Sequence, residues 1–374
     1  MKILYSCLSK SWGGMEMFTV QAVLQLLKRG INTELLCYPG SKIEEEAKKI
    51  NILTHTIKQT GYFNLSEILK VGKLIKNNNY SLIHSQASKD LWILVPALKW
   101  IGSKIPLYLT KQLGSFIIKK DIFHSFLYNR VTAAFAISEV IKRNLIETTP
   151  LTENKIFLLH NGIDTLRFDP QKANRTKERQ NLGLTEEDIA IGMLARFSSG
   201  KGHADLLKAA EILVKKYSGL KFLLVGEPSR GEDEFFEKIK QMVNELQLAN
   251  NVIFTGFRKD TEQILSAMDI FVFPSHAEAF GIALVEAMSM ELPSVCSNSD
   301  GVQDICVDNV TGLMFNNRDF EDLAKKTEIL ITSIDKRKQL GKNARKRVTE
   351  LFDIEVLTNK VVNYYKTLGK DKEI

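Results

Sequence analysis

The sequence predicts a protein of the α/β class with two domains, each built around a parallel sheet. Its 374 residues are too many for one ordinary core and suit two domains of similar size. Short apolar runs alternate with helical stretches along the whole chain, the pattern of repeated strand and helix units. The four cysteines lack the paired spacing of metal ligands, which indicates reduced core thiols; they are Cys7, Cys37, Cys296 and Cys306.

The first half is predicted to begin with a strand at 2–7, an amphipathic helix at 14–29 and a second strand at 32–38. Later elements are predicted as helices at 66–76 and 91–100 and as strands at 80–84, 107–110, 133–137 and 157–159. Ser138 is positioned to cap the helix after the fifth of these strands. The turn-rich segment 160–170 indicates the connection to a second sheet.

The second half repeats this alternation. Its strands are predicted at 189–194, 221–225, 252–255, 270–273, 294–297 and 312–315. Helices are predicted at 204–217 and 281–290, and the final stretch 352–368 is predicted to be helical. The strands are short, apolar and flanked by turn residues, as expected for sheets that are covered by helices.

The most informative stretch follows the strand at 270–273 and places two carboxylates eight residues apart. Glu278 lies in a loop, and Glu286 lies in the helix that starts near Gly281, roughly 7 to 8 Å further along. The first-turn amides at Phe280, Gly281 and Ile282 have no partners within the helix, so they can bind an anion. The two glutamates can then reach hydroxyl groups on either side, in the order of a sugar, a phosphate and a ribose.

The alternative is that both glutamates are simply solvated. The residues around Glu286 argue against it, because Val285, Ala287 and Met288 predict a buried helix, and a buried glutamate needs a partner.

Arg196 and Lys201 form a second candidate site, just after the strand at 189–194. They lie five residues apart in a loop of Gly and Ser, so both can point over the carboxyl edge of the sheet, where open α/β sheets bind ligands. Arginine grips phosphate with a two-pronged fork and lysine adds a compact charge, which suits a leaving diphosphate. Solvated loop cations are the alternative.

Together these residues resemble the retaining glycosyltransferases of family 4, which use the GT-B fold, over nearly the whole chain. The resemblance is carried by the glycine pair at 13–14, the Arg196 and Lys201 pair, the segments 222–227 and 254–257, and the signature from Glu278 to Glu286. It implies two Rossmann-like domains with parallel sheets facing across a cleft. It also implies an acceptor-binding domain at 1–165, a donor-binding domain at 166–352 and a final helix at 353–374 that packs back on the first domain.

The resemblance assigns catalytic roles to Arg196 and Lys201, which would hold the donor diphosphate, and to Glu278, which would bind the donor sugar. Glu286 would bind the ribose. Phe257 and Arg258 would flank the nucleobase, and Gly13 and Gly14 would approach the phosphate from the other domain. The other donor-binding residues that it implies are Phe280, Gly281 and Ile282. The nucleoside diphosphate sugar would be a co-substrate, and no cofactor is expected. The sequence lacks an Asp-x-Asp motif, which argues against the metal-dependent class of sugar transferases.

The chain departs from the family at one position. Such enzymes commonly carry a histidine shortly after a strand of the first domain, and Gln112 occupies the matching place in Thr110-Lys111-Gln112. Glutamine keeps hydrogen-bonding capacity but cannot take up a proton. His84, at the end of the strand at 80–84, is a second candidate for an acceptor or sugar contact, although a lone histidine there is more often structural.

Charge is distributed unequally. Residues up to 170 contain 22 Lys and Arg against 13 Asp and Glu, a net of +9, whereas the remainder has 29 against 31, a net of −2. The region 111–143 interleaves basic with apolar residues, which suits an anionic membrane surface or a phosphorylated lipid-linked acceptor. The alternative is a basic helix whose apolar side packs internally. No nucleic-acid motif accompanies the charge.

The chain is expected to be cytoplasmic, with peripheral attachment to the inner face of the cytoplasmic membrane as an option. The first strand starts at residue 2 and leaves no room for a signal peptide, and the longest apolar run, 91–109, is interrupted by Pro, Lys and Gly.

The sequence therefore predicts a metal-independent, retaining glycosyltransferase. It would move a hexose-type sugar from a nucleoside diphosphate sugar to a hydroxyl of a cell-surface polysaccharide, lipopolysaccharide or lipid-linked acceptor. A non-hydrolysing nucleotide-sugar epimerase and a non-catalytic nucleotide-sugar-binding protein are the alternatives. A nicotinamide dehydrogenase is disfavoured, because the first strand is not followed by the three-glycine fingerprint.

Overall fold

The computed structural model describes residues 1–59, 61, 63–229 and 231–369. Contacts divide the chain into two compact units. Unit 1 comprises Met1–Asn161 together with the segment that begins at Ile354, and unit 2 comprises Gly162–Asp353. Unit 1 is therefore discontinuous in sequence, whereas unit 2 is one continuous stretch.

Unit 1 contains a seven-stranded parallel sheet in the order β3-β2-β1-β4-β5-β6-β7. Its strands are β1 (Lys2–Cys7), β2 (Asn32–Cys37), β3 (Thr54–Thr56), β4 (Leu82–Ser85), β5 (Leu107–Lys111), β6 (Ala133–Ala136) and β7 (Ile156–Leu158). Its helices are α1 (Gly14–Lys28), α2 (Lys42–Lys49), α3 (Leu65–Asn78), α4 (Leu91–Trp100), α5 (Ile122–Tyr128), α6 (Glu139–Thr148) and, at the end of the chain, α15 (Ile354–Leu368).

The core of unit 1 lies between this sheet and its covering helices. Val23 and Leu26 of α1 are buried against it, and Leu357 and Tyr365 of α15 join the same apolar cluster. Burying such side chains contributes roughly 1.5–3 kcal/mol each. Ser138 accepts a hydrogen bond from the Ile141 amide at the start of α6, which confirms the predicted cap.

Unit 2 contains a six-stranded parallel sheet in the order β10-β9-β8-β11-β12-β13. Its strands are β8 (Ile189–Leu194), β9 (Leu220–Val225), β10 (Val252–Gly256), β11 (Ile270–Phe273), β12 (Ser294–Ser297) and β13 (Leu313–Phe315). Its helices are α7 (Arg175–Asn181), α8 (His203–Val214), α9 (Asp233–Glu245), α10 (Thr261–Ser266), α11 (Ile282–Ser289), α12 (Val302–Ile305), α13 (Phe320–Thr332) and α14 (Ile334–Leu351).

Each sheet has a point at which the strand order reverses. In unit 1 it lies between β1 and β4, and in unit 2 it lies between β8 and β11. Loops leaving the carboxyl ends of two such strands diverge to opposite faces and open a crevice, which is where α/β sheets bind ligands. The loops after β8 and β11 carry Arg196, Lys201 and Glu278.

Several elements differ from the sequence prediction. The edge strand β3 was not predicted, because Thr54–Thr56 is too short to show an alternating pattern. The preceding helix α2 was not predicted either. The strand predicted at 80–84 begins at Leu82. All four cysteines are buried and free, as predicted. Within the described residues, no helix has both the length and the apolar character that crossing a membrane requires.

Candidate functional site

Two loops at the switch point of unit 2 are joined closely. A side chain at residue 202 would place its Cβ 2.1 Å from the Pro274 carbonyl oxygen, so only glycine fits between the loops there. Gly202 also has φ +81°, a conformation that L side chains rarely adopt. The His276 amide donates to the Gly200 carbonyl at 2.8 Å. The loop after β8 is thereby fixed against the loop after β11.

Lys201 and Glu278, which the sequence analysis took from separate motifs, form an ion pair across these loops. The Lys201 ammonium donates to Glu278 Oε1, and the Ser275 hydroxyl donates to the same oxygen at 3.0 Å. Their side chains are 22% and 18% exposed, so the pair is accessible to a ligand without being fully solvated. The geometry brings a cation suited to phosphate beside a carboxylate suited to sugar hydroxyls.

A second side-chain contact supports the same loops and was not foreseen from the sequence. His276 Nε2 hydrogen-bonds Asp205 Oδ2 in the first turn of α8, and the Asn317 amide donates to the His276 carbonyl at 2.8 Å. Asp205 follows Lys201 by four residues, but nothing in the local sequence pairs it with His276. The contact links the segment that carries Lys201 to the segment that carries Glu278.

Arg196 follows β8 and is exposed. Its guanidinium donates to the Ser229 hydroxyl at 2.8 Å, a neutral partner that leaves its charge unpaired among the described residues. An exposed arginine with this freedom can still turn toward a phosphate group.

Glu286 lies on α11, whose neighbouring residues Leu284, Val285, Ala287 and Met288 are buried, as the sequence predicted. Among the described residues, none donates a hydrogen bond to its carboxylate. Desolvation raises the pKa of Glu286 to about 7, and the charge of Arg167 opposes that rise. Glu286 itself is only partly buried, so a ligand can reach it. A partly desolvated carboxylate without a hydrogen-bond donor is unfavourable in the free protein, and a ligand hydroxyl would supply the donor that is missing.

The start of α11 is set by Gly281, which has φ +123°. The first-turn amides after it have no acceptor within the helix, and Phe280 before it is buried. Gly281 and Ile282 thus lie where an anion could meet the helix terminus.

Phe257 and Arg258 follow β10, and their side chains differ in how strongly the protein holds them. Phe257 is 57% exposed, so its ring face is accessible to an aromatic ligand. Arg258 is held by Glu178 and Asp260 at 2.8 and 2.7 Å. These carboxylates raise the pKa of Arg258 and fix its guanidinium in place. The nucleobase role of both residues stays a prediction.

In unit 1, Gly13 and Gly14 lie at the start of α1, after the loop that leaves β1. Gly13 is the residue before the first helical turn and has extended backbone, and Gly14 is exposed. Their predicted approach to the donor phosphate stays a prediction.

The structure argues against His84 as a sugar contact. The side chain is buried, Nδ1 is bonded to the Tyr365 hydroxyl, and Nε2 is bonded to the Thr110 hydroxyl at 2.7 Å. Burial lowers the pKa of His84 to about 3, so the ring stays neutral. Because His84 lies near the end of β4, its side chain was expected to be accessible from the edge of the sheet. Tyr365 of α15 covers it instead, and a contact between residues so far apart in sequence leaves no local pattern.

Gln112 is likewise buried rather than displayed. Its amide nitrogen donates to Gln86 at 2.9 Å, and its oxygen accepts from Asn161 at 2.8 Å. Gln86 in turn donates to the Tyr5 hydroxyl. This chain of amides gives Gln112 a structural role in unit 1, and its side chain would have to leave these partners to reach an acceptor.

Two family models match the chain. The model for glycosyl transferases group 1 matches residues 174–347, and the model for glycosyltransferase family 4 matches residues 12–167. Between them they span most of both units. This chain belongs to the glycosyltransferases.

Relatives of this glycosyltransferase agree with that assignment. It is 26% identical to the capsular polysaccharide biosynthesis glycosyltransferase CapM of Staphylococcus aureus, over 93% of each chain. It is also 26% identical to the N,N'-diacetylbacillosaminyl-diphospho-undecaprenol alpha-1,3-N-acetylgalactosaminyltransferase of Campylobacter jejuni, over 82% of each chain. A crystal structure of a glycosyltransferase from Rickettsia africae superposes with a TM-score of 0.91 at 23% identity, over 99% of each chain. The likeness to that structure concerns the fold, the two-domain GT-B architecture.

The basic and apolar region 111–143 of the glycosyltransferase is only partly internal. Leu127 is buried, and Arg130 donates to the carbonyls of Ser103 and Ile105, so both have structural roles. The segment 113–126 between β5 and the end of α5 nevertheless exposes large apolar side chains, which are Leu113, Phe116, Ile117, Ile118, Ile122, Phe123 and Phe126. The explanation that this apolar side packs internally is therefore wrong for most of its residues.

Proposed function

We propose that this glycosyltransferase transfers a hexose-type sugar with retention of anomeric configuration from a nucleoside diphosphate sugar. The acceptor is a hydroxyl group of a cell-surface polysaccharide, a lipopolysaccharide or a lipid-linked glycan. The single observation that carries the proposal is the Lys201 and Glu278 pair at the switch point of unit 2, on loops that are fixed to each other. The names of the two curated relatives, which concern capsular polysaccharide and a diphospho-undecaprenol acceptor, support the acceptor class.

Donor binding would use charge and hydrogen bonds in the order of the ligand. Lys201 and Arg196 neutralise the diphosphate, and the first-turn amides of α11 add donors at the same position. Glu286, which has no donor within the described part of the chain, accepts hydrogen bonds from the ribose hydroxyls. Phe257 offers its exposed face to the base.

Catalysis would be mainly electrostatic. As the bond from the anomeric carbon to the diphosphate oxygen breaks, negative charge grows on the diphosphate, and Lys201 and Arg196 stabilise it. Glu278 holds the sugar hydroxyls so that the acceptor hydroxyl attacks the anomeric carbon from the face that the diphosphate leaves, and the proton of that hydroxyl passes to the departing diphosphate. No cofactor and no metal ion are assigned to this reaction.

The basic unit 1 would bind the acceptor and, at an anionic cytoplasmic membrane, the lipid surface that presents it. Exposed apolar residues of the segment 113–126 support this peripheral attachment, because contiguous apolar surface marks sites of interaction.

A thermal-shift screen tests donor binding. The purified chain is melted with UDP, GDP, ADP and their common sugar conjugates, because a ligand that binds only the folded state raises the melting temperature. We expect one nucleotide to act selectively and Glu286→Ala to abolish its shift. Glu211→Ala, which changes a partly exposed glutamate of α8 that pairs with Lys215, serves as the matched control. Absence of a shift with every nucleotide would contradict the proposal.

Product analysis then tests the reaction itself. The anomeric configuration of the product, measured by proton NMR, distinguishes retention from inversion, and assays with and without a chelator test metal independence. Incubation of the donor alone separates transfer from epimerisation, because an epimerase changes the donor sugar without an acceptor.

A further inference from the structure

Two lysines lie together in unit 1 at the carboxyl end of β5. Lys111 is the last residue of β5 and only 7% exposed, and its ammonium donates to the Ser88 hydroxyl at 3.1 Å. Lys119 lies on the segment that follows and is partly buried. Burial lowers the pKa of Lys111 to about 8, and the neighbouring charge of Lys119 acts in the same direction. The two ammonium groups are therefore close neighbours in a poorly hydrated place.

Neither lysine has an acidic partner among the described residues. The acids on neighbouring segments are already engaged. Asp90 accepts hydrogen bonds from the Ser6 hydroxyl at 2.7 Å and from the Leu8 amide at 3.2 Å, and Asp121 is bonded to His124. Bringing two cations together out of water without an anion costs free energy, so the arrangement is one that an anionic ligand would stabilise.

A hydroxyl group beside the lysines is also unsatisfied. The Tyr128 side chain is 1% exposed, and its hydroxyl has no hydrogen-bond partner among the described residues. Burial raises the pKa of Tyr128, and the nearby Ser88 hydroxyl acts in the opposite direction. The hydroxyl of Tyr128 thus lies beside the same serine that accepts from Lys111. The Tyr128 oxygen is itself enclosed, so the groups of this cluster that can meet a ligand are the Ser88 hydroxyl and the two lysines.

The surface next to the lysines is apolar. Lys119 lies within the segment 113–126, in which Phe116 is fully exposed and Ile117, Ile118 and Phe123 are each more than two-thirds exposed. A free phosphate ion would gain nothing from such a surface. A phosphate group attached to a long hydrocarbon chain would contact both parts, because the cations bind phosphate oxygens and the apolar side chains lose water against the hydrocarbon.

We propose that Lys111 and Lys119, with the hydroxyl of Ser88, bind the phosphate groups of a lipid diphosphate whose hydrocarbon chain lies along the segment 113–126. The proposal rests on the proposed function, since it places the diphosphate of a lipid-linked acceptor in unit 1. The lysines donate to the phosphate oxygens, and the ligand supplies the negative charge that the protein lacks there.

Isothermal titration calorimetry on the full chain tests this site with three probes, which are farnesyl diphosphate, inorganic diphosphate and farnesol. We expect farnesyl diphosphate to bind at least tenfold more tightly than either of the others. Lys111→Gln and Lys119→Gln should each weaken its binding about tenfold or more, as for the loss of a hydrogen bond to a charged group. Lys120→Gln changes the adjacent exposed lysine and should alter the affinity less than about twofold.

Two outcomes would overturn the proposal. One is unchanged affinity for farnesyl diphosphate in both Lys111→Gln and Lys119→Gln, which would show that neither lysine contacts the phosphate groups. The other is equal affinity for inorganic diphosphate and farnesyl diphosphate, which would show that the hydrocarbon chain is not bound. Thermal melts accompany the titrations. Because each substitution removes an unpaired charge, we expect the melting temperature to stay level or rise, so weaker binding would not reflect unfolding.

The titration is repeated in Lys201→Ala to separate this site from the candidate donor site. Farnesyl diphosphate binding that survives Lys201→Ala but not Lys111→Gln supports the proposal, whereas the reverse places the probe at the donor site and overturns it. The nucleotide screen keeps the two proposals apart. If no nucleotide stabilises the chain while the lysine-dependent binding of farnesyl diphosphate is intact, then the proposed function fails and the lipid diphosphate site stands.

Discussion

The charged groups at the carboxyl edges of the two sheets are arranged differently. In unit 2 the charges are largely matched, with Lys201 against Glu278 and Arg258 between Glu178 and Asp260, and Asp205 is hydrogen-bonded by His276. In unit 1 the neighbouring cations Lys111 and Lys119 have no acid among the described residues. Matched charges hold loops in fixed positions, whereas unmatched charges favour the binding of a ligand of opposite charge.

Glu286 is the exception in unit 2, because its carboxylate is desolvated and accepts no hydrogen bond from the described residues. The molecule therefore contains two kinds of charged residue, those paired within the protein and those without a partner among the described residues. Paired groups should matter for geometry and rate, and unpaired groups should bind ligands at a cost to the stability of the free protein.

The largest expected effect concerns the paired cation at the site. Lys201→Ala should lower kcat by roughly 10²- to 10³-fold, because it removes a charge that stabilises the leaving diphosphate. Lys215→Ala is the control, because Lys215 lies just after α8, the helix that follows Lys201, and its side chain is 68% exposed. Steady-state kinetics with the nucleotide sugar found in the screen measures both. A near-normal kcat in Lys201→Ala would refute the mechanism.

The next effect concerns the unpaired carboxylate and depends on pH. Since the folded state raises the pKa of Glu286 from 4.5 to about 7, it binds the proton more tightly than the unfolded state does. The free energy of unfolding should therefore fall as pH rises from about 4.5 through 7, by at most about 3 kcal/mol. Glu286→Gln should lack this fall, so the variant gains stability relative to wild type at pH 8.

Urea unfolding of wild type and Glu286→Gln at pH 4.5 and pH 8 measures this difference. Glu211→Gln, on the exposed face of α8, should follow wild type at both values. An equal difference between wild type and Glu286→Gln at the two pH values would show that the carboxylate is not desolvated in solution.

A smaller effect is expected in the amide chain of unit 1. Gln112→Ala should reduce the free energy of unfolding by about 2 kcal/mol, because it removes the donor to the buried Gln86 side-chain oxygen and the acceptor of the buried Asn161 side-chain amide. Gln21→Ala, at an exposed position of α1, should change it by less than about 0.5 kcal/mol. Equal stability of the two variants would mean that Gln112 does not make these hydrogen bonds in solution and is available as the acceptor or sugar contact that the sequence predicted.

The smallest effect concerns the contact that links the two loops of the site. Asp205→Asn and His276→Ala should each lower kcat a few-fold with less change in KM for the donor, since they loosen the position of Lys201 and Glu278 without touching the ligand. The double variant should be about as slow as either single one, which corresponds to a coupling energy of about 1 kcal/mol. Additive losses would show that His276 and Asp205 act separately.

Much of the fold followed from local sequence. The strands at 2–7, 189–194, 270–273 and 294–297 and the helix at 91–100 have the predicted bounds, because each is a compact apolar run flanked by turn or polar residues. Lys201 and Glu278 were predicted from two separate motifs, and nothing in the local sequence pairs them with each other.

What could not be predicted depends on contacts between distant residues. The buried His84 is hydrogen-bonded to Tyr365, and the buried Gln112 is hydrogen-bonded to Asn161. Because the partners are far apart in sequence, neither pairing can be recognised from the residues nearby. The same holds for the His276 and Asp205 pair and for the hydroxyl of Tyr128 beside Ser88. Periodicity predicts which face of an element is buried, but not which partner covers it.

The core of unit 1 includes side chains from both ends of the chain, Ile3 of β1 and Tyr365 of α15. During synthesis the N-terminal part of this core leaves the ribosome first but has to wait for the last helix, while Gly162–Asp353 emerges complete in between. The unit that begins the polypeptide is thus the last that can finish folding. A prematurely terminated chain that ends before Ile354 would carry a finished unit 2 beside an apolar core still open to water, a species suited to capture by chaperones and proteases.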